Sequence, residues 1–296
     1  MSERLVFGRD KQDWPHRAAS RFVSAGGVDW HVQMMGEGPV LLLLHGAGAS
    51  SHTWRDLMPE FAKSFRVIAP DFPGQGFSSQ PRNSSIYTLP GMARALADLL
   101  GVLKAEPAMV VGHSAGCAVA VRMTLDHLIH PRLLVGINAA LLPFHAVNTL
   151  YSGLAKLLAF NSIVPWFVSS QARHPRTVER LIDETGSRLD TTGIALYRHL
   201  AQNSSHVAGT LRMMANWDLD RLRADLPRLK TPLVLMVGSR DRTIDPERAR
   251  EIRKMHPDVE VISVPGLGHL AHEERPEIFV GDILRLAKNF HVLGEA

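Results

Sequence analysis

The chain has 296 residues, a net charge of +4, 45% hydrophobic residues and 21% charged ones. That length admits one large α/β domain or a core with an inserted lobe, and that composition belongs to a packed globular chain and excludes a disordered one. The charge is modest and no dense Lys/Arg run carries interleaved aromatics, which argues against nucleic-acid binding.

The single cysteine, Cys117, rules out an internal disulfide and fits a reducing compartment. It falls in a predicted helix, where a buried small apolar role is expected. Residues Glu3, Arg4, Asp10, Lys11 and Asp13 leave no apolar stretch for a secretory signal. The apolar stretch Leu141 to Val168 is broken by His145, Asn148, Lys156, Asn161 and Pro165, so no membrane span is expected and the expected location is the cytoplasm.

Residues 1–20 read as a polar arm, with Trp14-Pro15 as an anchor onto the body. Arg21 to Ser24 and Asp29 to Met35 read as two strands of a hairpin around Ala25-Gly26-Gly27-Val28. Val40 to Leu44 is a continuous apolar run, the mark of a strand buried on both faces. The loop His45-Gly46-Ala47-Gly48-Ala49-Ser50 follows, then a predicted helix over Trp54 to Lys63. Arg66 to Ala69 is the next strand, and Asp71 to Ser78 a turn-rich loop. Leu89 to Leu103 has helical periodicity, with Leu96, Leu99, Leu100 and Leu103 on one face.

Ala108 to Val111 is a short apolar strand that runs into Gly112-His113-Ser114-Ala115-Gly116, with a helix-compatible run from Cys117 to Leu125. A Gly-x-Ser-x-Gly between strand and helix forces its serine out on a sharp turn. Gly112 and Gly116 let the two backbones approach closely. Leu133 to Ile137 is another strand. The alternation then stops after Phe144 and resumes at Leu233 to Val237, followed by helix Pro246 to Met255, strand Val259 to Val264 and helix Pro276 to Phe290. Strands alternating with helices predict a mostly parallel sheet flanked by helices. Residues 143–217 are expected to be a helical lid inserted in a core of residues 21–142 and 218–296.

A serine nucleophile needs a base, and the base an orienting acid. In open α/β sheets such groups sit on loops at the carboxyl ends of strands. Asp241, in Gly238-Ser239-Arg240-Asp241, and His269, in Gly266-Leu267-Gly268-His269, meet that requirement in the order Ser114, Asp241, His269. Asp245 competes with Asp241 but precedes Pro246, where a helix-capping role is simpler. His272 competes with His269 but lies further from its strand, beside Glu273 and Glu274, where a solvated or capping role is expected. Asn138 stands after the preceding strand, where an acid also occurs in related enzymes, and carries no charge. The N–H groups of Ala47 and Ala115 are the expected oxyanion donors, with Gly46 and Gly48 letting the first of these loops turn inward. His45 is expected to be a structural hydrogen-bonder. The loops lack the Gly-Lys-Ser/Thr of a phosphate cradle and a dinucleotide fingerprint. With no metal-ligand spacing, neither a cofactor nor a metal is expected.

These motifs resemble the α/β-hydrolase superfamily over Phe22 to Phe290. A closer resemblance, to the magnesium-chelatase accessory proteins of bacteriochlorophyll synthesis, runs through Asp13-Trp14-Pro15, the Ser114 pentapeptide, Thr185-Gly186-Ser187, Met213 to Leu219 and Leu267 to Glu274. The resemblance implies an α/β-hydrolase fold, a place near magnesium insertion into protoporphyrin, a tetrapyrrole or its ester as small-molecule substrate, and chelatase subunits as partners. The residues themselves suit ester, thioester or amide cleavage, a non-catalytic porphyrin-binding or docking role, or a cofactor-free haloperoxidase or perhydrolase activity. Dehalogenase and soluble epoxide-hydrolase chemistry is disfavoured because those enzymes use Asp where Ser114 stands.

The lid segment holds seven basic residues (Lys156, Arg173, Arg176, Arg180, Arg188, Arg198, Arg212) against four acidic ones. Most are expected on a solvated surface, with one or two available to grip a carboxylate. Phe144, Met213, Met214 and Trp217 are the candidate pocket for a flat apolar substrate, although such residues more often pack as lid core.

Overall fold

The apolar run Val40–Leu44 forms strand β3, and its side chains divide between two separate cores. Leu42 and Leu44 belong to one buried cluster, Leu41 and Leu43 to the other. Side chains alternate across a strand, so an unbroken apolar run has both faces covered. The computed structural model describes residues 5–10, 13–143, 163–174 and 176–294.

The other strands are β1 (Ser20–Ala25), β2 (Val28–Met35), β4 (Arg66–Pro70), β5 (Pro107–His113), β6 (Leu133–Ile137), β7 (Leu233–Gly238) and β8 (Glu260–Val264). They make one eight-stranded sheet in the order β1-β2-β4-β3-β5-β6-β7-β8. β2 pairs antiparallel with β1 and β4, and every pair from β4 to β8 is parallel. The predicted hairpin turns at Gly26 and Gly27, both at positive φ (56° and 78°) as a tight two-residue turn requires.

Helices α1 (Leu89–Val102) and α2 (Ala115–Leu125) cover one face of the sheet. The opposite face is covered by Trp54, Phe61 and the apolar side of the closing helix. The expected helix over Trp54 to Lys63 does not form. A 3-10 turn, Ser51–Trp54, and a single helical turn, Met58–Phe61, stand in its place. Pro59 has no N–H to give the Arg55 carbonyl, which an uninterrupted helix would need. That carbonyl is instead paired with His16 Nε2 at 2.6 Å. The same contact ties down the N-terminal arm, and Trp14 is buried edge-on against Phe77 at 4.8 Å, the anchor expected of it.

Between β6 and β7 the described residues form α3 (Ile163–Gln171), α4 (Thr177–Glu184), α5 (Thr191–Ala201), α6 (Ser204–Asn216) and α7 (Leu219–Asp225). α8 (Glu247–Met255) and α9 (Pro276–Asn289) follow. α6 lies directly on the loops after β3 and β4. A Cβ on its Gly209 would meet the Gly74 carbonyl at 2.1 Å. His206 accepts the Gly76 N–H at 2.9 Å and its other ring nitrogen pairs with the Gly48 carbonyl. Among the described residues, no helix is long and apolar enough to cross a membrane.

Candidate active site

Four consecutive sheet positions end in the residues of interest. Ser114 follows β5, Asn138 follows β6, Asp241 lies just beyond β7, and His269 lies beyond β8. All four are buried.

Ser114 sits at φ 49° and ψ −114°, a left-handed conformation that a side-chain-bearing residue adopts only when its surroundings impose it. Its N–H donates to Ile137 O at 2.9 Å, and its carbonyl accepts from Ala140 N at 3.1 Å. The turn is tight. A Cβ on Gly112 would lie 2.4 Å from Cys117 N, and one on Gly116 2.1 Å from Leu44 O. The hydroxyl makes no capping bond to α2, so it is not consumed by the helix that it begins. Cys117 is buried one turn further on, and burial pushes its thiol up to about 12, the inert role expected.

Asp241 and His269 are brought together. His269 Nδ1 lies 2.8 Å from Asp241 Oδ2. The second carboxylate oxygen, Oδ1, accepts N–H groups from Thr243 at 2.7 Å and Ile244 at 2.9 Å. The carboxylate is thus oriented before it meets the imidazole. Asp245, the rival acid, caps α8 by accepting the Glu247 N–H at 3.0 Å.

The loop after β3 places Ala47 at the surface and Gly48 at φ 78°. Gln75 accepts the Gly48 N–H at 2.9 Å. Among the described residues, neither the Ala47 N–H nor the Ala115 N–H is paired with a backbone carbonyl. His45 is the hydrogen-bonder expected. Its Nε2 accepts from Phe72 N at 2.8 Å, so its Nδ1 carries the proton and donates to Gly46 O at 2.7 Å. Burial lowers its pKa, which suits a fixed neutral ring. Asp71, fully buried, accepts from Ser51 N and Phe77 N and pairs with His31 at 2.8 Å, joining the two loops beneath α6.

His272 is not the solvated or capping residue expected from its acidic neighbours. It is fully buried, its Nε2 is 2.8 Å from Thr53 Oγ1, and its ring packs on Trp54 and His113. Burial lowers its pKa to about 3. Glu273 is buried too. It accepts from Thr53, from Tyr197 at 2.7 Å and from the Arg55 guanidinium. Glu274 accepts the Gly268 N–H at 2.8 Å. Glu273 points inward because Tyr197 on α5 and Thr53 and Arg55 at the Ser51–Trp54 turn supply its partners.

Three of the four candidate pocket residues are described. Met213 is fully buried in the main core, Met214 is exposed, and Trp217 is half-buried against that core. Phe144 lies outside the described residues, as does Lys156. Of the basic residues between β6 and β7, Arg198 pairs with Glu179 and Arg212 donates to Gln80 at 2.6 Å. A cavity of about 500 Å³ opens instead beside Asp241, lined by Leu141, Leu142, Arg242, Thr243, Ile244 and Arg248 among others. Among the described residues, no cluster of three or more His, Cys, Asp or Glu could hold a metal ion.

Two further residues hold the backbone of His269. Asn138 donates to the carbonyls of Gly268 (2.9 Å) and His269 (2.8 Å) while accepting from Gly238 N (2.8 Å). His113 Nε2 is 2.9 Å from the same His269 carbonyl. The only local signal was their place at strand ends next to the candidate nucleophile and acid.

Comparison with known proteins agrees with this fold. The α/β hydrolase fold family matches residues 39–276. The chain is 40% identical over 280 residues to the magnesium-chelatase 30 kDa subunit of Rhodobacter capsulatus, covering 92% of this chain and 95% of that one. It is 27% identical to the pimeloyl-[acyl-carrier protein] methyl ester esterase of Vibrio vulnificus, over 88% of this chain and 98% of the esterase. An α/β hydrolase fold protein from Burkholderia ambifaria superposes with a TM-score of 0.75 at 22% identity, covering 96% of this chain and 100% of the other, a likeness of fold.

Proposed function

The chain belongs to the α/β-hydrolase fold family, and from that premise we propose that it is a serine hydrolase acting on an ester, thioester or amide through an acyl-enzyme. The observation that carries this reading is the His269–Asp241 pair at 2.8 Å, with Asp241 two strands and His269 three strands along from the strained Ser114 turn.

In this mechanism Ser114 Oγ attacks the substrate carbonyl carbon and its proton passes to His269 Nε2. Asp241 holds the imidazole by Nδ1 and stabilises the imidazolium. The developing oxyanion is met by the N–H groups of Ala47 and Ala115. His269 then returns its proton to the departing alcohol, thiol or amine, and an ester linkage to Ser114 remains. A water, deprotonated by His269, attacks that ester, and the acid product leaves with Ser114 restored. No hydrogen bond joins the Ser114 hydroxyl to His269 among the described residues, and the mechanism requires one to form when substrate is bound. The helices between β6 and β7 serve as the lid that excludes bulk water. The test is turnover of a panel of aryl, alkyl and tetrapyrrole esters by the wild type beside Ser114→Ala. Hydrolysis by the wild type that Ser114→Ala loses supports the reading, and equal rates from the two proteins contradict it.

A second reading, favoured by the 40% identity to the magnesium-chelatase 30 kDa subunit, is an accessory role in which the fold binds a porphyrin or docks on chelatase subunits without cutting a bond. A pigment-synthesising strain lacking its own copy separates the two. Full rescue of pigment by Ser114→Ala would favour the accessory role, and failure of a folded Ser114→Ala would favour hydrolysis.

A further inference from the structure

We propose that His113 is a positioning residue for His269, gripping the backbone carbonyl of the base so that its imidazole stays turned toward Asp241 and the Ser114 turn. The inference rests on the serine-hydrolase reading above and adds to it a residue that never touches substrate.

The geometry is closed on every side. The His269 carbonyl accepts two side-chain donors, His113 Nε2–H at 2.9 Å and Asn138 Nδ2–H at 2.8 Å. They arrive from the ends of two adjacent strands, β5 and β6, so together they fix the plane of that peptide rather than only its distance. The amide side of His269 is held less well, since its N–H makes a long 3.3 Å contact with Thr185 O. The carbonyl is therefore the stronger of the residue's own backbone tethers. His113 also precedes Ser114 directly, so a displacement of the nucleophile's strand end carries the base with it.

The chemistry of the ring fits this task. A carbonyl only accepts, so the His113 proton is on Nε2 and Nδ1 is bare. Nδ1 has no partner and lies against Gly46, where a Cβ would approach it to 2.7 Å. Burial, with His272 and His269 nearby, holds His113 neutral, well below the usual histidine range. Neutrality matters because the rings of His113 and His269 are 4.8 Å apart, and His269 becomes cationic whenever it takes the serine proton. On the far side, the His272 ring lies 4.6 Å from His113 and is bonded to Thr53, so His113 has no room to swing away.

Fluorophosphonate inactivation tests the role, with the limiting rate (kinact) separated from the half-saturating concentration (KI). His113→Gln keeps an amide donor near the position of Nε2. His113→Asn carries the same amide too short to reach, and His113→Phe removes the donor. We expect His113→Asn and His113→Phe to lose ~10- to 100-fold in kinact with KI unchanged, since small misplacements cost rates of this order. His113→Gln is expected within about threefold of wild type. If the Phe variant does not fold, the matched Gln and Asn pair decides the matter. Equal kinact for Gln and Asn, or a loss confined to KI, would overturn the positioning role while leaving Ser114 as nucleophile. Absence of any labelling of the wild type would overturn the serine-hydrolase reading itself and the positioning role with it.

Discussion

His269 Nδ1 and Asp241 Oδ2 are 2.8 Å apart, and the other Asp241 oxygen is already held by two backbone N–H groups. Asp241→Asn separates charge from fold. An asparagine oxygen can keep the Thr243 and Ile244 bonds while its amide faces the imidazole. The imidazole is then left in the wrong tautomer, with no anion beside it. We expect ester turnover to fall by roughly 10⁴-fold, with a thermal midpoint close to wild type. A loss below tenfold in steady-state kcat would remove Asp241 from the mechanism.

The two glycines that frame Ser114 are predicted to be intolerant, in contrast to a glycine that faces open space. Gly116→Ala drives a methyl to 2.1 Å from the Leu44 carbonyl, backbone that cannot step aside. A loss of about 3 kcal/mol or more is expected. Gly281→Ala, exposed on α9 with nothing within 4 Å, should instead stabilise by about 0.5–1 kcal/mol because alanine loses less backbone entropy in a helix. Urea midpoints of the two variants should move in opposite directions.

The reach of the sequence ends where partners are distant. The elbow, the parallel strands and the Asp241–His269 pair were legible because each depends on a short motif at a strand end. His272 differs from its expected solvated role because its partner, Thr53, and those of its neighbour Glu273, Arg55 and Tyr197, are far away in the chain. A local run of His-Glu-Glu looks like surface. The helix expected over Trp54 to Lys63 failed at Pro59, a local signal that the apolar periodicity overrode. Met213 looked like pocket lining, but its sulfur accepts from Gln75 Nε2 inside the core, a pairing with no trace in its neighbours.

The buried pair His31–Asp71 predicts a pH dependence. Burial alone would raise the Asp71 carboxyl. The His31 ring and its hydrogen bond, with help from the His45 ring and the Ser51 N–H, outweigh burial and hold it well below the usual carboxylate range. A carboxyl depressed in the folded state stabilises fully above its unfolded pKa of about 3.9 and loses that contribution as the pH falls below it. Asp71→Asn should therefore cost about 3 kcal/mol at pH 7, and the gap to wild type should narrow steadily below pH ~4. Urea unfolding at pH 7 and pH 3 reads this directly, and a gap that is constant with pH would contradict it.

Tyr197 and Arg55 test how α5 is held to the core. Tyr197→Phe removes a donor to a buried carboxylate and should cost about 2 kcal/mol. Arg55→Ala should cost more, about 4 kcal/mol, because it leaves Glu273 buried without its cation. Burial already pushes the Glu273 carboxyl up, with Arg55 opposing it. Denaturation midpoints that rank the two variants the other way would show that the hydroxyl, not the ion pair, carries the joint.

The mechanism turns on Ser114 as a nucleophile activated by His269. Intact-mass and peptide mapping after fluorophosphonate treatment tests it most directly. We expect one phosphonyl adduct per chain, on the peptide containing Ser114, absent from Ser114→Ala and formed far more slowly by His269→Asn. An unmodified wild-type chain, or an adduct on another residue that survives Ser114→Ala, would contradict it.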